Sequence, residues 1–90
     1  MTQTADTRDQ IIDEITRIVA AELDAPAAEF TPETDLRRRQ GADSVKVLRI
    51  VARIEQRYDI ELPDEEVFSV STISQVTTVV EKALAAEVGR

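Results

Sequence analysis

Three stretches of this chain carry apolar residues at the repeat of an α-helix, and two of them open on a reciprocal capping pair. Ile11, Ile12, Ile15, Ile18, Val19 and Leu23 form one stripe, the pattern of a helix that turns one face to a core. Thr7 with Gln10 three residues later has the spacing of a capping box, so a helix is expected from about Thr7 to Leu23. Val47, Ile50, Val51, Ile54 and Tyr58 form a second stripe, on a helix opened by Asp43 or Ser44 and ending near Tyr58. Ile73, Val76, Val79, Val80 and Leu84 form a third, opened by the pair Thr72 and Gln75, running to about Glu87 and stopped by Gly89. The β-branched run from Val76 to Val80 has strand character. The cap before it and the lack of a partner strand favour helix.

Between the first two stripes lies a connection of twenty residues, Asp24 to Asp43, holding Pro26, Pro32 and Gly41. Loops that long are uncommon in compact domains and are often functional. Phe30 and Leu36 are its large apolar residues and are expected to pin it to the helices. After the second stripe, Asp59-Ile60-Glu61-Leu62-Pro63 reads as a linker with Ile60 and Leu62 turned inward. Pro63 suits the start of a short helix, Asp64 to Phe68. The expected fold is all-α: an antiparallel bundle of three longer helices plus one short helix, with a long first loop. Ninety residues make a single domain, 1–90, with a core of about 7–87.

The composition removes several kinds of chemistry. The chain has no histidine and no cysteine, so no Ser-His or Cys-His dyad can activate a nucleophile. Disulfides and thiolate metal sites are excluded, a zinc or iron site is not expected, and the spacing of a calcium-binding EF-hand loop is missing. No apolar run approaches the ~18 residues that span a bilayer, and Met1 to Asp6 lack the features of a secretory signal. A cytoplasmic protein without membrane attachment is the expectation. The net charge of −7 disfavours nucleic acid as a partner.

One short string then stands out: Gly41-Ala42-Asp43-Ser44-Val45, at the end of the long loop and the start of the second helix. Serine near a helix start is common, and Asp43 there is a good N-cap worth ~1 kcal/mol. Without a base in the chain, chemistry at the Ser44 hydroxyl belongs to another protein's active site, which makes Ser44 a modification site. A phosphodiester on it would meet the positive end of the helix dipole and the first-turn N–H groups. Gly41 lets the backbone turn just before the helix and keeps the approach open.

This string resembles the Gly-Ala-Asp-Ser-Leu of acyl carrier proteins. The likeness extends upstream to Phe30-Thr31-Pro32-Glu33-Thr34-Asp35-Leu36. Downstream it reaches Ile60-Glu61-Leu62-Pro63-Asp64-Glu65 and Ser71-Thr72-Ile73, so that it covers roughly residues 7 to 86. The resemblance implies a 4′-phosphopantetheine arm, transferred from coenzyme A to Ser44 by a separate phosphopantetheinyl transferase. Acyl groups are then carried on the arm's thiol as thioesters, and the protein has no catalysis of its own. Asp43 keeps two readings, the N-cap and a carboxylate beside the modified hydroxyl that helps the transferase place its metal ion, and the resemblance implies that the acyl chain can be sequestered between the helices.

Two departures from the family pattern point to dedicated partners. Val45 stands in place of the usual leucine, and the second helix is basic. Lys46, Arg49, Arg53 and Arg57 fall on one face, preceded by Arg37, Arg38 and Arg39. Residues 37–58 carry a net +5 and the remainder −12, whereas carriers of fatty-acid synthesis resemble the opposite. A stripe of one sign steers encounters and rejects like-charged partners. Val45, Lys46, Arg49, Ala52, Arg53, Arg57 and Arg37 to Arg39 are therefore the candidate recognition residues. The expected partners are an acyltransferase, ketosynthase or acyl-activating enzyme with an acidic or mixed docking surface. A free-standing, monomeric carrier of a polyketide or other specialised pathway fits better than one of housekeeping fatty-acid synthesis. The alternatives are a peptidyl or aryl carrier loaded by an adenylating enzyme, and a non-carrier helical module that binds through its basic stripe.

Overall fold

The computed structural model describes residues 7–38 and 43–88, and within them every regular element is helical. Gly41, expected at a turn, and Gly89, expected as a stop, lie outside the described residues. The first helix, α1, is Arg8–Leu23. Thr7 caps it, accepting from the Gln10 N–H at 3.2 Å while its own N–H donates to Gln10 Oε1 at 2.8 Å, which is the box expected from the sequence. The second, α2, is Ser44–Tyr58. A short helix, α3, spans Asp64–Ser69 after Pro63, and α4 is Ile73–Val88. Thr72 and Gln75 form the second box, with bonds of 3.2 and 3.1 Å. The Val76–Val80 run is helical throughout.

Neither α1 nor α2 ends on a glycine. Asp24 (φ 57°) and Asp59 (φ 56°) take the left-handed conformation instead, and their N–H groups return to carbonyls of the preceding turn. Aspartate tolerates this conformation better than most residues because its short side chain can bond locally. A search for terminal glycines therefore misses both stops.

The bundle closes around Ile11, Ile15 and Val19 of α1, Ile54 of α2, and Ile73, Thr77 and Val80 of α4, each less than 2 % exposed. Thr77 was not among the expected core residues. Its hydroxyl donates to the Ile73 carbonyl at 2.9 Å, so the one buried polar side chain among the described residues is satisfied within its own helix and can face the core. Ile60 and Leu62 are buried as expected. The Leu62 N–H donates to Glu55 Oε2 at 2.9 Å, which ties the linker back to α2.

The first loop is pinned at both expected residues: Phe30 is buried and Leu36 half-buried against the core. It also runs beside the start of α4, where Asp35 pairs antiparallel with Thr72. The Leu36 N–H donates to the Ser71 carbonyl at 2.7 Å and the Ser74 N–H to the Pro32 carbonyl at 2.9 Å. Short 3₁₀ turns at Ala27–Glu29 and Leu36–Arg38 give the loop its own hydrogen bonding.

Ile54 is fully buried, whereas Leu48 on the same helix is 53 % exposed. Ile54→Ala is expected to lower the stability to urea unfolding by about 2–5 kcal/mol. Leu48→Ala should stay within about 0.5 kcal/mol of the parent. Equal losses for the two would contradict this packing.

Candidate functional site

Asp43 stands in extended conformation (φ −91°, ψ 175°), and its carboxylate accepts the Lys46 N–H at 2.9 Å. Its carbonyl takes the Val47 N–H at 3.0 Å. Asp43 is thus the N-cap, and Ser44 is the first residue of α2. The first N–H groups of a helix have no acceptor within it, and a fifteen-residue helix brings the positive end of its dipole to the same place. The position of Ser44 therefore suits a covalently bound phosphodiester.

Beside Asp43 opens a cavity of about 300 Å³. Its walls are Val47, Ile50 and Ile54 of α2, Val67 and Phe68 of α3, and Val76 and Val79 of α4, with Leu36 and Arg37 from the first loop. Apart from Asp43, Arg37 and Ser71 the lining is apolar. A long thin group attached at Ser44 would find a phosphate-compatible helix start on one side and an apolar recess on the other. The residues present fit a 4′-phosphopantetheine arm, which when bound supplies the thiol that holds an acyl group.

The four cations of α2 form the expected row, but they do not face solvent alone. Glu22, near the end of α1, lies between Arg49 Nε at 3.0 Å and Arg53 at 2.9 Å, and its side chain is only 9 % exposed. Lys46 Nζ donates to the Glu22 carbonyl at 3.1 Å. Arg57 Nε lies 3.5 Å from Glu14 and its guanidinium stacks 4.9 Å from the Tyr58 ring centre. The row is the seam between α2 and α1. Near Ser44, moreover, a cleft collects three carboxylates (Glu22, Asp24, Asp43) with three cations (Lys46, Arg49, Arg53). The local charge is mixed, which the one-dimensional count of basic residues could not show, because the acidic partners come from another helix.

The side chains of Arg49 and Arg53 are still 67 % and 48 % exposed. Val45 and Ala52 are exposed beside them. Leu48, absent from the sequence-derived set, belongs with them as a large exposed apolar residue. Its spacing of three from Val45 and four from Ala52 is the signal that places it on the same outward face. The other loop cations are apart from this face: Arg37 donates to the Phe68 carbonyl and Arg38 lies 3.4 Å from Asp35. Arg39 lies outside the described residues. Among the described residues no cluster of acidic side chains could hold a metal ion, and no helix is long and apolar enough to cross a membrane.

The hydrogen bond from Arg53, aided by the charge of Arg49, holds the Glu22 carboxyl below its ordinary value of 4.5, against partial desolvation. A carboxylate with a depressed folded-state pKa contributes stability above its unfolded value. That contribution is lost as pH falls through the folded value. The urea midpoint is therefore expected to fall on acidification below about pH 4.5 more steeply in the parent than in Glu22→Gln. High salt should narrow the difference, because both arginines are exposed. Parallel pH profiles for the two proteins would rule the contribution out.

The family described as "Phosphopantetheine attachment site" matches this chain over residues 13–80. An acyl carrier protein of Streptomyces coelicolor is 37 % identical over 90 residues, covering 99 % of this chain and 97 % of the relative. One from Helicobacter pylori is 30 % identical over 71 residues, covering 79 % and 91 %. In fold, the chain is similar to the solution structure of the holo acyl carrier protein from Geobacter metallireducens. The TM-score is 0.75 at 21 % identity, and 89 % of this chain and 92 % of that one are covered. Carriers of this kind are not catalysts; they are modified and loaded by partner enzymes. From the helix that begins at Ser44, the apolar recess beside it and these likenesses together, the chain belongs to the acyl carrier protein family and carries a 4′-phosphopantetheine group.

Proposed function

We propose that the arm is attached to the Ser44 hydroxyl and that the chain presents acyl intermediates of a polyketide or other specialised pathway to dedicated partners. The observation that supports the attachment is the position of Ser44 directly after the capping Asp43, which itself lines the apolar recess. With its carboxylate already on the Lys46 N–H, Asp43 sets the first turn of α2. Its remaining lone pairs are available to a transferase's metal ion. The acyl chain rests in the recess when partners do not hold it. The reading is of one monomeric, cytoplasmic domain, core 7–87, with no nucleic acid among its partners.

The test of attachment is intact mass after incubation with coenzyme A and a broad-specificity phosphopantetheinyl transferase. The parent is expected to gain one phosphopantetheinyl group and Ser44→Ala none. Modification of both proteins would move the attachment elsewhere.

Partner recognition rests on the outward face of α2, where Val45, Leu48 and Ala52 lie beside the free edges of Arg49 and Arg53. A complementary surface offers an apolar contact and carboxylates, so acidic or mixed docking surfaces are the expected match. Charge reversal at Arg49 or Arg53 would set a new carboxylate against Glu22 and disturb the helix seam, so neutral substitution is the cleaner probe. The pair Arg49→Gln and Arg53→Gln is expected to slow acyl loading by the cognate enzyme about three- to tenfold at low salt and to flatten the salt dependence. Unchanged loading would remove these arginines from recognition.

A further inference from the structure

We propose that Arg37 is a strap that holds α3 in place and thereby sets access to the apolar recess beside Ser44. The inference rests on the reading of that recess as the resting place of an apolar acyl chain.

Helix α3 is a lightly anchored wall of the recess, packed on the core through Val67. It has six residues and none is buried; Phe68, which lines the recess, is 53 % exposed. The chain is anchored on either side of it. Before it, Leu62 is 6 % exposed and its N–H is bonded to Glu55. After it, Ser71 and Thr72 are held by Leu36 and Asp35 of the first loop. A short element between two fixed points, with little apolar area of its own, has a low cost of local opening.

Two polar ties close that element down. Lys82 of α4 pairs with Glu66 at 3.1 Å, holding the edge of α3 that faces α4. On the loop side, the guanidinium of Arg37 donates to the carbonyl of Phe68. Both residues line the recess, so this bond joins two of its walls across the gap between loop and helix. It also places a cation against the carbonyl end of α3, where a positive charge is favoured. The Arg37 N–H is itself bonded to Asp35 Oδ1 at 3.0 Å, which ties the strap's root to the residue that pairs with Thr72. Releasing the guanidinium frees α3 on the loop side while the anchors at Leu62 and Thr72 stay in place, and the wall can swing without unfolding the bundle.

Arg37 is thus a positioning residue: it touches the wall, not the cargo. The test uses the full chain and N-phenyl-1-naphthylamine, a neutral apolar fluorophore that needs no attached arm. Its association is followed by stopped flow in the parent, Arg37→Ala, Arg37→Gln, Arg37→Lys and Glu66→Gln, with far-UV circular dichroism to verify helix content. Losing one exposed charge-assisted bond is expected to speed entry about three- to tenfold in Arg37→Ala and Arg37→Gln. Arg37→Lys, which keeps a donor, should restore most of the parent rate, and Glu66→Gln should speed entry from the other edge. Amide exchange at residues 67–70 should rise in the same variants and stay flat in α1. Equal association rates in parent and Arg37 variants overturn the strap while leaving the recess intact. No probe binding to any of the folded proteins overturns both the recess and the strap.

Discussion

Three apolar stripes on a ninety-residue chain have to be excluded from water together, and the place where they meet, at Ile15, Ile54, Ile73 and Val80, is closed to solvent. The rest of the molecule is arranged by that contact. It sets the rotation of α2 about its own axis, because Ile54 must face α1 and α4. With that rotation fixed, the 100° step of a helix decides every other position on α2. Val47 and Ile50 face the recess, Arg53 and Arg57 reach α1, and Val45 and Leu48 are left outward.

Helix α2 therefore has three working faces on fifteen residues. The inner face is the core and the wall of the recess. The face toward α1 is ionic, with one glutamate serving two arginines and a lysine. A nearly excluded carboxylate between two partly exposed arginine side chains adds little stability of its own, since exposed pairs are screened. What it adds is a common carboxylate partner on α1 for both arginines. On the recognition proposal, the outward face offers apolar contact beside exposed arginines, a combination suited to discrimination more than to raw affinity.

The contrast between α2 and α3 explains why one helix is suited to recognition and the other to access. On the proposal that the arm is attached at Ser44, its attachment point is held still for the enzymes that read it, because α2 is capped at Asp43, stopped at Asp59 and buried at Ile54. On the same proposal the carrier also has a wall that can yield: α3 has no buried residue, and besides the packing of Val67 against the core it is tied to its neighbours through Arg37 and Lys82. The twenty-residue first loop joins the two. It leads into Asp43 and Ser44, and it supplies Leu36 and Arg37 to the recess on the way.

By itself the sequence determined what short-range chemistry decides. Helix spacing, two capping boxes, the loop anchors Phe30 and Leu36 and the inward Ile60 and Leu62 were all readable, because periodicity and side-chain-to-backbone bonding act within a few residues. The string around Ser44 also stood out, since a chain without histidine or cysteine leaves its chemistry to other proteins, and the role of Ser44 as the attachment point stays a proposal. The two aspartate stops were not readable, because their sign is a backbone angle that aspartate only sometimes adopts. Nor was the burial of Thr77, which depends on a hydroxyl turning back to its own helix. The largest revision concerns charge. In the sequence the basic residues of α2 stand together, far from Glu14 and Glu22. Only tertiary packing brings those carboxylates against them, and Coulomb interaction depends on distance in space, not along the chain. The same holds for Arg37 and Phe68, thirty-one residues apart and joined across a recess that exists only once the helices have met.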